Sequence, residues 1–128
     1  MNDGTIDAIV SSHQPQDEES KNLEFDLSEF GIIGFQTVLP YLVNISDSIE
    51  WKVLVEKLTN NPRSILNIDP PSIKVDEIAD LTVFDVGEDW TFDASSNKSR
   101  SKNSPLFGKQ LKGKVKAVFK NKKYKTFD

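Results

Sequence analysis

The spacing of apolar residues changes once along this chain of 128 residues, at the rigid linker Asp69-Pro70-Pro71-Ser72. Before the linker, apolar residues recur at helical spacing, for example between Trp51 and Leu58. After it, they alternate with polar residues, as they do from Leu81 to Val86. This change predicts an α/β chain in which helices come first and a small antiparallel β unit comes last. We therefore expect two parts, residues 1–68 and residues 69–128.

The first part begins with a short apolar run, a polar loop and a longer apolar stretch. Ile6 to Val10 shows little alternation, which predicts a strand buried on both faces, as in a parallel sheet. Ser11 to Asn22 is predicted to be a loop, because Pro15 breaks regular structure there. A long buried helix is predicted within Gly31 to Val43, with Pro40 kinking it or ending it early. Since α/β proteins place chemistry after the carboxyl ends of strands, the loop is the candidate site.

The remaining elements follow from caps, turns and periodicity. Asp47 and Glu50 have the spacing of a capping box for a second helix, and Pro62 suits the first position of a third. In the β unit, two turns between strands are predicted, at Gly87-Glu88-Asp89 and at Asn121-Lys122-Lys123. The predicted helices and strands are Trp51 to Leu58, Pro62 to Leu66, Leu81 to Val86, Trp90 to Phe92, Lys114 to Lys120 and Tyr124 to Phe127.

Charge is distributed unevenly along the chain. Residues 1–97 contain 5 Lys and Arg against 19 Asp and Glu, whereas residues 98–128 contain 11 against 1. A basic end on an acidic body fits either nucleic-acid binding or neutralisation of the acidic neighbour. From Lys112 to Lys120 the lysines share one face of the predicted strand, and no aromatic residue for base stacking lies on that face. We therefore expect the lysines to pair with the acidic body across an interface, and we expect no nucleic-acid partner.

Composition excludes several further classes of protein. The chain has no cysteine, so it has neither disulfides nor cysteine metal sites, which is typical of cytoplasmic proteins. The first residues, Met1 to Gly4, lack the basic and apolar parts of a signal peptide. The longest apolar stretch is too short to cross a bilayer, so we expect no membrane partner.

Taken together, six runs of this sequence resemble the carboxyl-terminal region of dihydroorotases, which are metal-dependent cyclic amidohydrolases of pyrimidine biosynthesis. The resemblance implies the last strand-helix unit of a TIM (β/α)8 barrel with following helices, and then a small antiparallel β accessory domain. Ile6 to Val10 would be the last barrel strand. The matching runs, in order, are Ile6 to Val10, Phe30 to Pro40, Leu58 to Leu66, Ala79 to Asp85, Ser99 to Gly108 and Leu111 to Val115.

The chain departs from that family in the loop after the presumed last strand. The family has Asp-His-Ala-Pro-His followed by a lysine, and the resemblance assigns proton transfer to the Asp and substrate binding to the last His. Here the run is Ser12-His13-Gln14-Pro15-Gln16, with Lys21 in place of the lysine. A serine hydroxyl does not ionise near neutral pH, and a glutamine amide carries no positive charge. The positions Ser12, His13 and Gln16 therefore form a degenerate loop, and we expect no catalytic or substrate-binding residue in it.

The sequence by itself does not supply another catalytic or metal site. His13 is the only histidine and has no clear orienting acid, although Asp17 is a weak candidate. Ser11 and Ser12 lack the G-x-S-x-G surroundings of a nucleophilic serine. One histidine without cysteine does not make a zinc site, and Asp17-Glu18-Glu19 lacks the spacing of a calcium loop. We expect a solvated acidic run there, and zinc only in the parent family.

These observations predict a dihydroorotase-like chain that is structural or regulatory and does not catalyse. The resemblance implies aspartate carbamoyltransferase as a possible partner, since non-catalytic relatives support that enzyme. A single strand taken from a barrel exposes its edges, so we also expect a longer natural polypeptide or a homo-oligomer. Two alternatives stay open at this point. One is a fragment of an active zinc dihydroorotase that hydrolyses dihydroorotate to carbamoyl aspartate, and the other is a nucleic-acid module.

Overall fold

The structure, a computed structural model that describes residues 1–127, has helices in its first half and a β-sheet in its second. This arrangement confirms the α/β order that the periodicity predicts. The division at 68/69 and the assignment of the two parts to a barrel and an accessory domain stay predictions. The elements are α1 (Glu18–Lys21), a 3-10 turn (Phe35–Thr37), α2 (Val38–Ile45), α3 (Trp51–Leu58), α4 (Asn60–Ile65), β1 (Leu81–Phe92), β2 (Lys109–Lys120) and β3 (Lys123–Thr126).

The sheet is antiparallel, with strand order β1-β2-β3. One continuous strand, β1, replaces the two short strands that the sequence predicted. The register shifts between Asp85 and Asp89, where we expected a turn. There the Asp85 carboxylate accepts the backbone N–H of Gly87 at 2.7 Å, so the irregularity is accommodated inside the strand. The turn between β2 and β3 is confirmed, since Asn121 and Lys122 both have positive φ, as a type I′ hairpin turn requires.

The long apolar helix begins later than we predicted, so the predicted start near Gly31 is wrong. Ile32 is extended and bridges His13 in parallel, and the helix α2 begins only at Val38. Pro40 is the third residue of α2, where its missing N–H would have no partner within the helix, so it neither kinks nor ends the element. The capping box is also absent, because no side chain caps α3 at Glu50.

The strand expected from Ile6 to Val10 does not form within the described residues. The segment is extended, but it pairs with no strand on either side. Its backbone is tied to helices instead, because Ile9 N–H donates to the Lys57 carbonyl and the Asn61 amide donates to the Asp7 carbonyl, each at 3.0 Å. A strand needs a neighbour to become a ladder, and residues 1–127 supply none here.

The core lies where α2 and α3 pack on the inner face of the sheet. The buried apolar side chains are Ile33, Leu42, Leu54, Phe92 and Ala117. Trp51 of α3 packs on Phe84 of β1, with ring centroids 5.4 Å apart. Phe92 meets Phe107 edge to face at 5.6 Å, which brings the loop before β2 onto the same core.

Candidate functional site

The candidate loop begins at Ser12, whose backbone has a φ of 46°, in the left-handed region. A residue with a side chain adopts this conformation at a cost of about 1 kcal/mol or more. The Ser12 side chain is exposed, and nothing within residues 1–127 hydrogen-bonds to its hydroxyl. Ser12 therefore turns the backbone and presents a hydroxyl to solvent.

His13 is held against the chain that leads into α2. Its Nδ1 accepts the backbone N–H of Gly34 at 3.1 Å, and its ring stacks on Phe35 with centroids 4.2 Å apart. Because Nδ1 accepts a hydrogen bond, the neutral imidazole carries its proton on Nε2. No carboxylate within the described residues hydrogen-bonds to the ring. His13 thus packs on Phe35 and holds the backbone at Gly34.

Gln16 closes the loop from the other side. Its side-chain Nε2 donates to the Phe30 carbonyl at 3.0 Å, and its backbone carbonyl accepts from the Ser101 hydroxyl. Next to it, Gln14 N–H donates to the Ile32 carbonyl at 2.8 Å. The three positions Ser12, His13 and Gln16 are therefore not joined to one another by hydrogen bonds. Two of them are used to fix the backbone.

The acidic run Asp17-Glu18-Glu19 is a solvated surface, as expected, but it is not a loop. Asp17 caps the single helical turn α1 by accepting the Ser20 N–H at 2.6 Å. This backbone hydrogen bond lowers the pKa of Asp17 below its ordinary value of 3.8. The Lys21 ammonium, at the lysine position of the family, donates to the Glu29 carbonyl. Both side chains therefore shape the segment.

A second loop, residues 93–104, contacts the candidate loop, and sequence analysis did not single out its residues. The Asn103 amide donates to the carbonyls of Gln14 and Gly31 at 3.0 and 3.1 Å, and the Asn103 carbonyl accepts the Ile33 N–H at 3.1 Å. One asparagine thus joins the candidate loop to residues 31–33, which lead toward α2. The signal available in the sequence was the match of Ser99 to Gly108 to the family, which gave no role to single residues.

Gln36, in the 3-10 turn before α2, connects that turn to the second loop. Its Nε2 donates to the Ser96 carbonyl at 2.9 Å, and its Oε1 accepts the Lys98 N–H at 2.6 Å. Beside it lies a cavity of about 130 Å³, which is smaller than the cavities that usually enclose a substrate. The cavity lining includes His13, Phe35, Phe92, Lys98 and Ser99.

A wider apolar groove of about 320 Å³ runs along α2 on the side of the unpaired segment. Val10, Ile32 and Tyr41 line it and remain substantially exposed. Neither the cavity nor the groove is lined by a cluster of titratable side chains. Among residues 1–127, no group of three or more His, Asp or Glu side chains is placed to hold a metal ion.

Three lysines of β2 pair with acidic groups that lie in β1 or just before it. Glu88 of β1 accepts from Lys114 and Lys116 at 2.8 and 2.9 Å, and Asp80 pairs with both Lys120 and Arg63. The hydrogen bonds from Lys114 and Lys116 hold the pKa of Glu88 below its ordinary value of 4.5. The sequence had suggested that the lysines would reach the acidic body across an interface, and the contact with Glu88 is instead between adjacent strands.

The site, then, is a loop whose polar side chains hold the surrounding backbone in place. Within the part of the chain that the structure describes, no helix has the length and apolar character needed to span a bilayer. A scan of protein-family models gives no match to this chain.

Among curated proteins the chain is similar to dihydroorotases. It is 43% identical to the dihydroorotase of Endomicrobium trichonymphae over 115 residues, 40% to that of Acetivibrio thermocellus over 119 residues and 41% to that of Geobacter metallireducens over 115 residues. These alignments cover 87%, 90% and 88% of this chain but only 27%, 28% and 27% of the relatives. The chain is therefore related to dihydroorotases over most of its length, and it spans about a quarter of the length of the curated relatives that it matches.

Proposed function

We propose that this chain is the carboxyl-terminal region of a cytoplasmic dihydroorotase-like protein of pyrimidine biosynthesis and that its loop has a structural or regulatory role without catalysis. The observation that carries the proposal is the state of the loop. Gln16, at the family's substrate-binding position, uses its amide to hold the Phe30 carbonyl. Ser12, at the proton-transfer position, offers only an exposed hydroxyl.

The chemistry of these two groups explains why the loop would not catalyse. Proton transfer near neutral pH needs a group whose pKa lies near the operating pH, and positioned acid or base groups typically contribute about 100-fold to 10,000-fold to the rate. A serine hydroxyl has no such pKa. An amide at position 16 donates a hydrogen bond but cannot oppose the charge of a substrate carboxylate.

The structural role rests on surface that this chain leaves uncovered. Ile6 to Val10 is extended without a strand partner, and Val10 is 76% exposed beside the apolar groove of α2. An unpaired extended segment next to apolar surface favours pairing with another chain segment. We propose that the rest of a parent barrel or a second copy covers this edge. Aspartate carbamoyltransferase, the enzyme that the resemblance implies as a partner, is the candidate for the regulated protein.

The second candidate is a fragment of an active zinc dihydroorotase. It is favoured by the names of the relatives, which are 36 to 43% identical to this chain. In that case the metal ligands and the proton-transfer group would come from residues outside this chain. Zinc would then polarise the ring amide of dihydroorotate when bound, and this chain would contribute walls and backbone groups to the site.

A chimera distinguishes the two candidates. The aligned 115 residues of the Geobacter metallireducens dihydroorotase are replaced by this chain, and dihydroorotate hydrolysis is measured with zinc present. We expect turnover at least about 100-fold below that of the relative. The matched variant carries Ser12→Asp and Gln16→His, and we expect it to recover most of the lost turnover. Zinc content and circular dichroism establish that both chimeras are folded and loaded.

Two outcomes would overturn the proposal. Turnover of the first chimera at the relative's level would show that the hydroxyl and amide are compatible with catalysis, in favour of the second candidate. A folded, zinc-loaded double variant that stays inactive would mean that the loss lies outside positions 12 and 16.

A further inference from the structure

Three cations form a row on the outer face of the loop that contacts the candidate site. Lys98, Arg100 and Lys102 are exposed, and they alternate with Ser99 and Ser101, which are partly buried. We call these three cations the basic row. This burial pattern leaves the three cations in solvent and turns the serines between them toward the protein.

The basic row is held in place from behind. The Asn97 amide donates to the Ser101 carbonyl at 2.9 Å, and the Lys98 N–H donates to Gln36 at 2.6 Å. The Ser101 hydroxyl donates to the Gln16 carbonyl, and the Asn103 amide reaches two further carbonyls of the candidate loop. A segment anchored in this way presents its charges in a fixed arrangement, which lowers the entropy lost on binding.

None of the three cations of the basic row has a carboxylate partner within residues 1–127. This distinguishes them from Lys114, Lys116 and Lys120, whose ammonium groups pair with Glu88 and Asp80. These three lysines of the sheet are neutralised within the chain, whereas the basic row is left to face another molecule.

An acidic segment begins directly after Gln16, the residue to which the segment of the basic row is bonded. Residues 17–30, which we call the acidic lobe, contain six carboxylates and one lysine, Lys21. The Lys21 ammonium donates a hydrogen bond to the Glu29 carbonyl. The six acidic residues are exposed, and none of them pairs with a cation among the described residues. Because Ser101 bonds to Gln16, the residue before the lobe, the basic row starts beside the acidic lobe.

The acidic lobe also exposes large apolar side chains. Phe25 is 97% exposed, Phe30 87% and Leu27 64%. Aromatic side chains that stand free beside charged groups are typical of binding surfaces, where they supply the buried area and the charges supply orientation.

We infer that the basic row and the acidic lobe together form a self-complementary surface that takes a second copy of this chain. In a two-fold arrangement the basic row of each copy meets the acidic lobe of the other, and Phe25 and Phe30 lie between them. Adjacent surfaces of opposite charge satisfy both halves of such a contact at once, because a two-fold interface uses the same patch twice. The inference does not depend on whether the loop is catalytic.

Sedimentation of the complete 128-residue chain tests this interface. We expect a species of twice 14.4 kDa at about 0.05 M salt. The affinity of this association should fall at least about ten-fold at about 0.5 M salt. The variant Lys98→Glu, Arg100→Glu, Lys102→Glu should be monomeric at the concentration where the wild type associates. Its matched control, Lys109→Glu, Lys122→Glu, Lys123→Glu, makes the same change of charge on exposed lysines outside the basic row and should associate as the wild type does.

A charge swap makes the test specific. The variant Glu18→Lys, Glu19→Lys, Glu24→Lys should also be monomeric alone and should form a heterodimer when mixed with the basic-row variant. Phe25→Ser should weaken the wild-type association without changing its salt dependence.

Several results would overturn the inference. A wild type that stays monomeric at low salt, or a basic-row variant that still associates, excludes this interface. Association that persists at high salt would point instead to the apolar edge at Ile6 to Val10, and so would leave the proposed function intact. Salt-sensitive retention of an oligonucleotide that the basic-row variant loses, without any wild-type dimer, would assign the basic row to nucleic acid.

Discussion

Gly113 of β2 lies directly against Val43 of α2. A Cβ added at Gly113 would be 2.7 Å from Val43 Cγ2, and the backbone of Gly113 has a φ of +97°. The glycine therefore lets the helix approach the sheet and also adopts a backbone conformation that other residues avoid. The carbonyl of Gly113 accepts the indole N–H of Trp90 at 2.8 Å. This hydrogen bond fixes the orientation of the Gly113 peptide group.

We predict that Gly113→Ala lowers the free energy of unfolding by about 2–4 kcal/mol, since it combines backbone strain with overpacking. Gly108→Ala is the matched control, because Gly108 also has a positive φ but an added Cβ meets nothing within 4 Å. It should cost only about 1 kcal/mol. Urea denaturation measures both changes, and the difference between them reports the contact between helix and sheet.

The pair can also be tested by coupling. Val43→Ala removes the methyl groups that the new Cβ would meet, so the double variant should be more stable than the sum of the single effects predicts. Additive effects of the two substitutions would contradict the close contact.

His13 should stabilise the loop through its Nδ1 and its ring. His13→Ala leaves the partly buried Gly34 N–H without its acceptor and removes the stack on Phe35, so we expect a loss of about 1–3 kcal/mol. His13→Asn keeps an acceptor near the position of Nδ1 and should recover part of the loss. Denaturant unfolding and exchange of the Gly34 amide hydrogen measure the effect. If the Gly34 amide hydrogen exchanges equally fast in the His13→Asn and His13→Ala variants, the hydrogen bond to Nδ1 does not contribute to the stability of the loop.

Asn103 should couple the two loops. Asn103→Ala removes the donor to the Gln14 and Gly31 carbonyls, and we expect a loss of about 1–3 kcal/mol together with faster amide exchange at Ile33 and Gln14. Asn22→Ala is a suitable control, because the Asn22 side chain is exposed and makes no hydrogen bond with the described residues. Unchanged exchange at Ile33 in the Asn103 variant would show that the loops are held by other contacts.

Glu88 should make stability depend on pH in the acidic range. Its hydrogen bonds to Lys114 and Lys116 lower its pKa in the folded protein, so the folded state favours the carboxylate more than the unfolded state does. The stabilisation is present above about pH 4.5 and is lost as the pH falls through the folded pKa. Free energies of unfolding measured between about pH 3 and 6 should fall less steeply in Glu88→Gln than in the wild type.

The control for this titration is Glu56→Gln. Glu56 lies on α3 and has no ion pair within residues 1–127, so its substitution should leave the slope unchanged. A Glu88→Gln profile that parallels the wild type would mean that the ion pairs do not stabilise the sheet.

Elements with strong local signals were predicted well from the sequence. Trp51 to Leu58 carries an apolar stripe at helical spacing, and the helix has those bounds. The strand before Lys120 and the turn at Asn121-Lys122 were also found, since alternation and a turn dipeptide are local features. The start of α2 was missed, because an apolar run such as Gly31 to Val43 contains no signal that separates a buried extended segment from a buried helix.

The candidate site shows the same limit. The sequence located the loop and the absence of ionisable groups at positions 12 and 16, because these depend only on residue type. It did not find Asn103 and Gln36, since their partners lie far away along the chain and only folding brings them together.

The sequence by itself determined which residue types stand at positions 12 and 16, the order of helices and strands, and the separation of acidic from basic residues. Only the tertiary structure decided which charges are neutralised. It places Lys114, Lys116 and Lys120 against Glu88 and Asp80, and it leaves the basic row facing solvent. The reason is geometric: residue type fixes charge and propensity along the chain, whereas pairing depends on distances that arise only when remote segments pack.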